Sequence, residues 1–87
     1  MASKIHIASA GNVIVPAYLA LKQKGFTVDW VRSSSEPDEE TWYAKDATRS
    51  FTAEDPVSLL GLVALHETRG DDWQASDEEI DAFLEKY

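Results

Sequence analysis

Residues 55–73 read DPVSLLGLVALHETRGDDW, and how this stretch folds decides the architecture. From Val57 to Leu65 it is apolar except for Ser58 and Gly61. Asp55 can cap the free N–H groups of a first helical turn, and Pro56 suits the first helical position, where its missing N–H costs nothing. Gly70 stands where a left-handed residue ends a helix. A helix apolar round most of its circumference needs cover on more than one side, so it is expected to lie sandwiched between layers.

Upstream, Lys4–Ala10 (KIHIASA) alternates with Ile5 and Ile7 on one face, the pattern of a strand. Gly11-Asn12 breaks it, and Asn12 is a candidate N-cap for a helix from Val13 to about Lys24. Val13, Val15, Pro16, Leu19 and Ala20 supply its expected buried stripe, and Gly25 stops it. Phe26–Val31 alternates again, so strand, helix and strand read as a βαβ unit with parallel strands and a right-handed crossover.

Residues 33–40 (SSSEPDEE) form an acidic loop, expected to be mobile. Thr41–Ala53 reads as a hairpin with strands near 41–45 and 49–53 and its turn at Asp46-Ala47. Without an Asn-Gly signal there, one bent strand is the alternative. Ser76 and Glu79 have capping-box spacing. After them Ile80, Phe83, Leu84 and Tyr87 fall at i, i+3, i+4 and i+7, one stripe of a last helix, with Trp73 expected to pack beneath it. The chain is therefore expected to be one α/β (α+β) domain over residues 1–87. Its order is β-α-β-β-β-α-α, a three- or four-stranded mixed sheet with helices packed against it.

Composition narrows the function. Among 87 residues there is no cysteine, which removes disulfides, thiolate nucleophiles and cysteine-ligated zinc. No apolar run approaches the roughly 20 residues that span a bilayer, and no leader-like segment opens the chain, so a soluble cytoplasmic protein without membrane contact is expected. The net charge is −8 and unevenly placed. Residues 1–35 carry Lys4, Lys22, Lys24 and Arg32 against Asp29, a net +3, whereas residues 36–87 carry four cations and fifteen carboxylates, a net −11. Such a field repels nucleic acid and speeds encounter with a basic partner; equally, it keeps a small protein soluble.

Four features bear on chemistry. The turn Ser9-Ala10-Gly11-Asn12 joins a strand to a helix N-terminus, where free N–H groups can hold a phosphate. It lacks both nucleotide-binding glycine patterns, and an ordinary capped turn explains it as well. His66-Glu67 opens like a zinc-protease motif but has Gly70 where the second histidine would stand, so no metal site is expected. His66 and Arg69 suit the negative end of a helix dipole. His6 is expected to be a satisfied, partly buried side chain. Last, acids are interleaved with aromatics: Glu36, Asp38, Glu39 and Glu40 lead into Trp42 and Tyr43, and Asp71 and Asp72 precede Trp73. Aromatics anchor interfaces, and a ring of carboxylates orients a basic partner. Because neighbours on a strand face opposite sides, one of Trp42 and Tyr43 must be turned away from whatever the other buries.

The stretches DPVSLLGLVALHETRGDDW (55–73) and SDEEIDAFL (76–84) are similar to parts of small bacterial proteins. By type, a short, acidic, cysteine-free α/β chain without a catalytic motif resembles the immunity proteins that neutralise bacterial toxins. That resemblance implies binding to a toxin domain and blocking its active site, and it carries over no functional residue. The leading expectation is a non-enzymatic protein-binding module that needs no cofactor. Glu36, Asp38, Glu39, Glu40, Trp42, Tyr43, Asp71 and Asp72 would form a surface for a basic site on a toxin or nuclease. The alternative is a small-ligand or nucleotide-binding domain using Ser9, Gly11 and Asn12. Self-association through an apolar face is a third reading.

Overall fold

The structure is a computed structural model and describes residues 4–32 and 40–87. A short 3-10 turn at Gly11–Val13 leads into α1 (Ile14–Gln23), followed by β1 (Thr27–Arg32), β2 (Glu40–Lys45), β3 (Ser50–Ala53), α2 (Pro56–Arg69) and α3 (Asp77–Lys86). The class is mixed α and β, with helices packed on a sheet. The expected strand at Lys4–Ala10 does not form: this segment has no regular structure and is exposed throughout. With it goes the parallel βαβ unit. The sheet has three strands in the order β1-β2-β3, and both pairs are antiparallel. Antiparallel neighbours need only short links, and β2 to β3 needs four residues. A parallel strand at 4–10 would have to be ordered by distant contacts alone.

The local signals set the element ends. α1 stops in a Schellman motif: Gly25 takes φ 94°, Phe26 N–H donates to Leu21 O at 3.1 Å, and Gly25 N–H to Lys22 O at 3.0 Å. The accompanying apolar contact places Leu21 and Phe26 together in the core. α2 begins as its sequence indicates, with Asp55 Oδ1 accepting from Ser58 N–H at 2.7 Å. At the start of α1, however, Val13 and not Asn12 holds the cap position, Ala10 precedes the 3-10 turn in the same role, and no side chain caps either end. The hairpin is made, and its turn signal is Asp46: Oδ1 accepts from the backbone N–H groups of Thr48 at 3.0 Å and Arg49 at 2.7 Å.

α1 and α2 lie side by side on one face of the sheet and run the same way. Their N-terminal ends line one small cavity, and Lys24 and Glu67 pair at 2.9 Å near their far ends. The core between helices and sheet is Leu21, Phe26, Ala44, Leu59 and Val63, flanked by Val28, Trp42, Phe51, Ala53 and Leu60. α1 uses a different stripe from the expected one: Ala17 and Leu21 are buried, while Val15, Pro16 and Leu19 are exposed. α2 is not sandwiched. Pro56, Leu59 and Val63 face inward, and its outer side turns Gly61 and Ala64 to solvent. Every residue of 71–87 is exposed, so the last helix adds no buried side chain to the core.

Candidate functional site

Alternation along the strands puts Trp30, Trp42, Ala44 and Phe51 on the helix-covered face, and Tyr43 and Val31 on the open one. Trp42 is half-buried with its ring 6.2 Å from that of Trp30; Tyr43 is the aromatic turned outward. Glu40 opens β2, while Glu36, Asp38 and Glu39, with the rest of the loop expected at 33–40, lie outside the described residues. Asp71 and Asp72 are exposed just past α2. Trp42 pairs with Ala53, close to the start of α2, whereas Asp71 follows its end. A helix of 14 residues separates them by roughly 21 Å. Of the described residues in the expected surface, Trp42 and Asp71 therefore stand near opposite ends of α2.

Between them, β3 and α2 border a groove of about 450 Å³ lined by Phe51, Leu62, Leu65, His66, Asp71 and Trp73, with the β2–β3 turn at one end. A polar chain closes that end. Arg49 Nε donates to Asp46 Oδ2 at 3.0 Å, and its guanidinium lies 5.0 Å from the Phe26 ring centre and 5.9 Å from that of Phe51. Its other arm reaches His66 Nδ1 at 3.4 Å, and His66 Nε2 lies 2.8 Å from Asp71 Oδ1. An arginine can only donate, so Nδ1 accepts and Nε2 carries the proton given to Asp71. Both ring nitrogens are engaged: Nδ1 ties the end of α2 to the hairpin, and Nε2 holds the turn that follows the helix. The two N–H groups of its own turn, helped by Arg49, hold the Asp46 carboxyl below its ordinary range, with desolvation opposing them. Sequence reading passed over this cluster; the only signal for it is the acid–arginine spacing of three across an expected turn.

The other sequence candidates sit as follows. His6 is exposed rather than partly buried. Glu67 pairs with Lys24, and Arg69 turns forward, donating to Trp73 O at 2.9 Å and to Glu79 Oε1 at 3.3 Å. Ser9 and Gly11 line a cavity of about 260 Å³ that also contains Asp55 and Ser58, and Asn12 lies next to it in the 3-10 turn. The Asp55 carboxylate already accepts from the Ser58 N–H and hydroxyl at the start of α2, and its charge opposes a phosphate there. No group of three or more histidine and carboxylate side chains with metal-binding geometry occurs among the described residues, and no helix among them is long and apolar enough to cross a membrane.

No protein-family model matches the chain, and no curated protein or solved structure is significantly similar to it. The function is therefore read from its surfaces.

The most distinctive surface is α3. Its start is a complete capping box: Glu79 N–H donates to Ser76 Oγ at 3.2 Å, and Ser76 N–H to Glu79 Oε1 at 2.9 Å. Asp77, Glu78 and Glu79 add charge at the positive end of the dipole. Its apolar stripe is bare: Phe83, Leu84 and Tyr87 are 60%, 64% and 82% exposed, and the Phe83 and Tyr87 rings pack at 5.0 Å on each other. The Ser76 N–H, with the Arg69 charge behind it, lowers the Glu79 carboxyl below its ordinary range. A pKa lower in the folded than in the unfolded state means the cap contributes fully above the usual glutamate range. Its contribution fades as the pH falls through the lowered value. Acid titration followed by amide NMR should show α3 fraying in that window, and Glu79→Gln should remove the pH dependence. An α3 whose helical shifts persist unchanged through the window would contradict this role for the cap.

Proposed function

We propose that this chain is a non-enzymatic protein-binding module, with α3 and Trp73 as its docking face for a partner that offers an apolar groove rimmed by basic groups. The observation that carries this reading is the bare stripe on an already ordered helix. Ten residues are too few for a stable free helix in water, yet α3 is capped at its start and tied to α2 by Arg69. The ordering cost that a disordered peptide meets on binding is thus largely met in advance. The molecule exposes 7213 Å² in all, where a folded monomer of 9.7 kDa exposes roughly 5,100 Å². Part of that excess is the apolar side of α3.

Charge specifies the partner. The C-terminal quarter that holds the stripe carries Asp71, Asp72, Asp77, Glu78, Asp81 and Glu85, with Lys86 the cation on the helix itself. Carboxylates in this number repel an acidic partner and steer a basic one. The reading moves the interface from the 36–43 region to the C-terminal quarter and keeps Asp71 and Asp72 within it. An inhibitor or immunity protein that covers a basic site on a toxin or nuclease is the form of this function that fits both the resemblance and the charge.

The test uses the whole chain as bait, wild type beside Phe83→Asp, at low and high ionic strength. A basic protein that wild type retains, whose affinity falls about tenfold or more with Phe83→Asp and weakens with salt, supports the reading. Circular dichroism of the variant checks that the helix survives. Identical capture by both baits would sink it.

A further inference from the structure

We infer that the Lys4–Ala10 segment of one copy adds as a strand to the free edge of β3 in a second copy, giving a reciprocal dimer. The inference does not rest on the α3 reading; its surface is the β3 edge and the groove beside it, which meets the α3 face only at Asp71 and Trp73.

The segment has a strand's alternation but no strand to pair with, and leaves Ile5 and Ile7 exposed at 85% and 78%. A lone strand has no stability of its own; it gains order only by joining a sheet. The sheet has an edge ready for it. Asp46 N–H donates to Arg49 O at 2.9 Å, which makes those two directly opposed residues a hydrogen-bonded pair. Such pairs alternate along an antiparallel ladder, so Phe51 and Ala53 bond inward to Ala44 and Trp42. Ser50 and Thr52 therefore point their N–H and C=O groups outward. No charge and no proline guards β3, whereas β1, the other edge, carries Asp29 and Arg32.

Beside that edge lies the groove between β3 and α2. An added strand sends alternate side chains toward it, and Ile5 and Ile7 have the spacing to meet Phe51, Leu62 and Leu65 there. Charge favours the same pairing. The segment brings Lys4 to a groove whose Asp71 side chain is fully exposed, and the basic first third of each copy meets the acidic remainder of the other. Within its own chain the segment lies elsewhere: Ile7, Ala8 and Ser9 border an open cavity of about 410 Å³ whose other walls are α1 and the start of α2. Exchange between two copies satisfies both edges at once and closes the assembly as a two-fold dimer.

Sedimentation over a concentration series tests this on the full chain with three variants. Ile7→Asp spoils the segment. Thr52→Pro removes an outward N–H, a change an outer strand tolerates. Wild type should dimerise, and each variant alone should associate at least about tenfold more weakly while keeping its circular dichroism. Mixing Ile7→Asp with Thr52→Pro should give a one-to-one pair tighter than either variant alone and weaker than wild type, because one of its two contacts joins an intact edge to an intact segment while the other is damaged on both sides. Phe83→Asp should dimerise like wild type, which separates this interface from the α3 face. A wild type that stays monomeric, variants that dimerise unimpaired, a mixture that does not recover, or hydrogen-exchange protection of residues 4–10 in a monomer would each overturn the inference.

Discussion

Leu59→Ala is expected to destabilise the domain by about 3 kcal/mol, the usual cost of removing a buried leucine from a well-packed site. Leu59 is wholly buried where α2 meets the sheet, among Leu21, Phe26, Ala44 and Val63. The core is small, so the loss is a large share of the roughly 5–10 kcal/mol available to a domain of this size. Chemical denaturation should show a lowered midpoint with an unchanged slope. Gly61→Ala, two positions along the same helix, should do the opposite. Gly61 faces solvent, nothing lies within 4 Å of where a Cβ would stand, and alanine in an exposed helix interior stabilises by about 0.5–1 kcal/mol. If Leu59→Ala cost less than Gly61→Ala gained, α2 would not be packed as described.

Arg49→Ala is expected to cost about 2 kcal/mol. The side chain lies over the faces of Phe26 and Phe51, pairs with Asp46 at 2.9 Å, and reaches His66. Stacking on desolvated rings is worth up to about 2 kcal/mol and outweighs the pairing with Asp46. Arg49→Lys tells the two apart. Lysine keeps the charge but loses the planar fork and the stacking surface, so most of the loss should remain. A lysine variant as stable as wild type would reduce Arg49 to a surface charge. NMR of the β2–β3 turn should report the same change locally, because Asp46 would keep its bonds to Thr48 and Arg49 N–H while losing the guanidinium.

The two variants also separate the parts of the molecule that a partner would use. Neither residue belongs to α3, so a capture defect caused by Phe83→Asp cannot be ascribed to a weakened core if Leu59→Ala and Arg49→Ala still bind when folded. Such a comparison matters in a domain whose apolar side chains are divided between a compact centre and an uncovered C-terminal helix.

Much of this fold is legible in the amino-acid order, and the legible parts share a cause. Asp55-Pro56, Gly25, Gly70, the Ser76–Glu79 pair and the turn acid Asp46 act on backbone groups within about five residues of themselves. They specify where helices and turns begin and end, and those ends fall close to where the residues place them. Tyr43 facing away from Trp42 is equally local, a consequence of strand geometry alone. The position of the binding surface is not local. Nothing in Glu36–Tyr43 or Asp71-Asp72 tells that a 14-residue helix holds Trp42 and Asp71 apart. Nor does any short spacing reveal that Arg49 and His66, 17 positions apart, meet at the groove.

By itself the sequence determined the helices, the caps of α2 and α3 and the amphipathic stripe of α3, and favoured the hairpin over one bent strand, because hydrogen-bonding chemistry and side-chain periodicity are settled between near neighbours. Only the tertiary structure decided that Lys4–Ala10 is left without a sheet partner, that both strand pairs are antiparallel, and that α1 buries Ala17 and Leu21 rather than Val15 and Leu19. Those outcomes depend on which distant surface arrives to cover a given face. An alternating segment is equally apt for a central strand, an outer strand or none, and an apolar helix face is buried only as far as something lies opposite it.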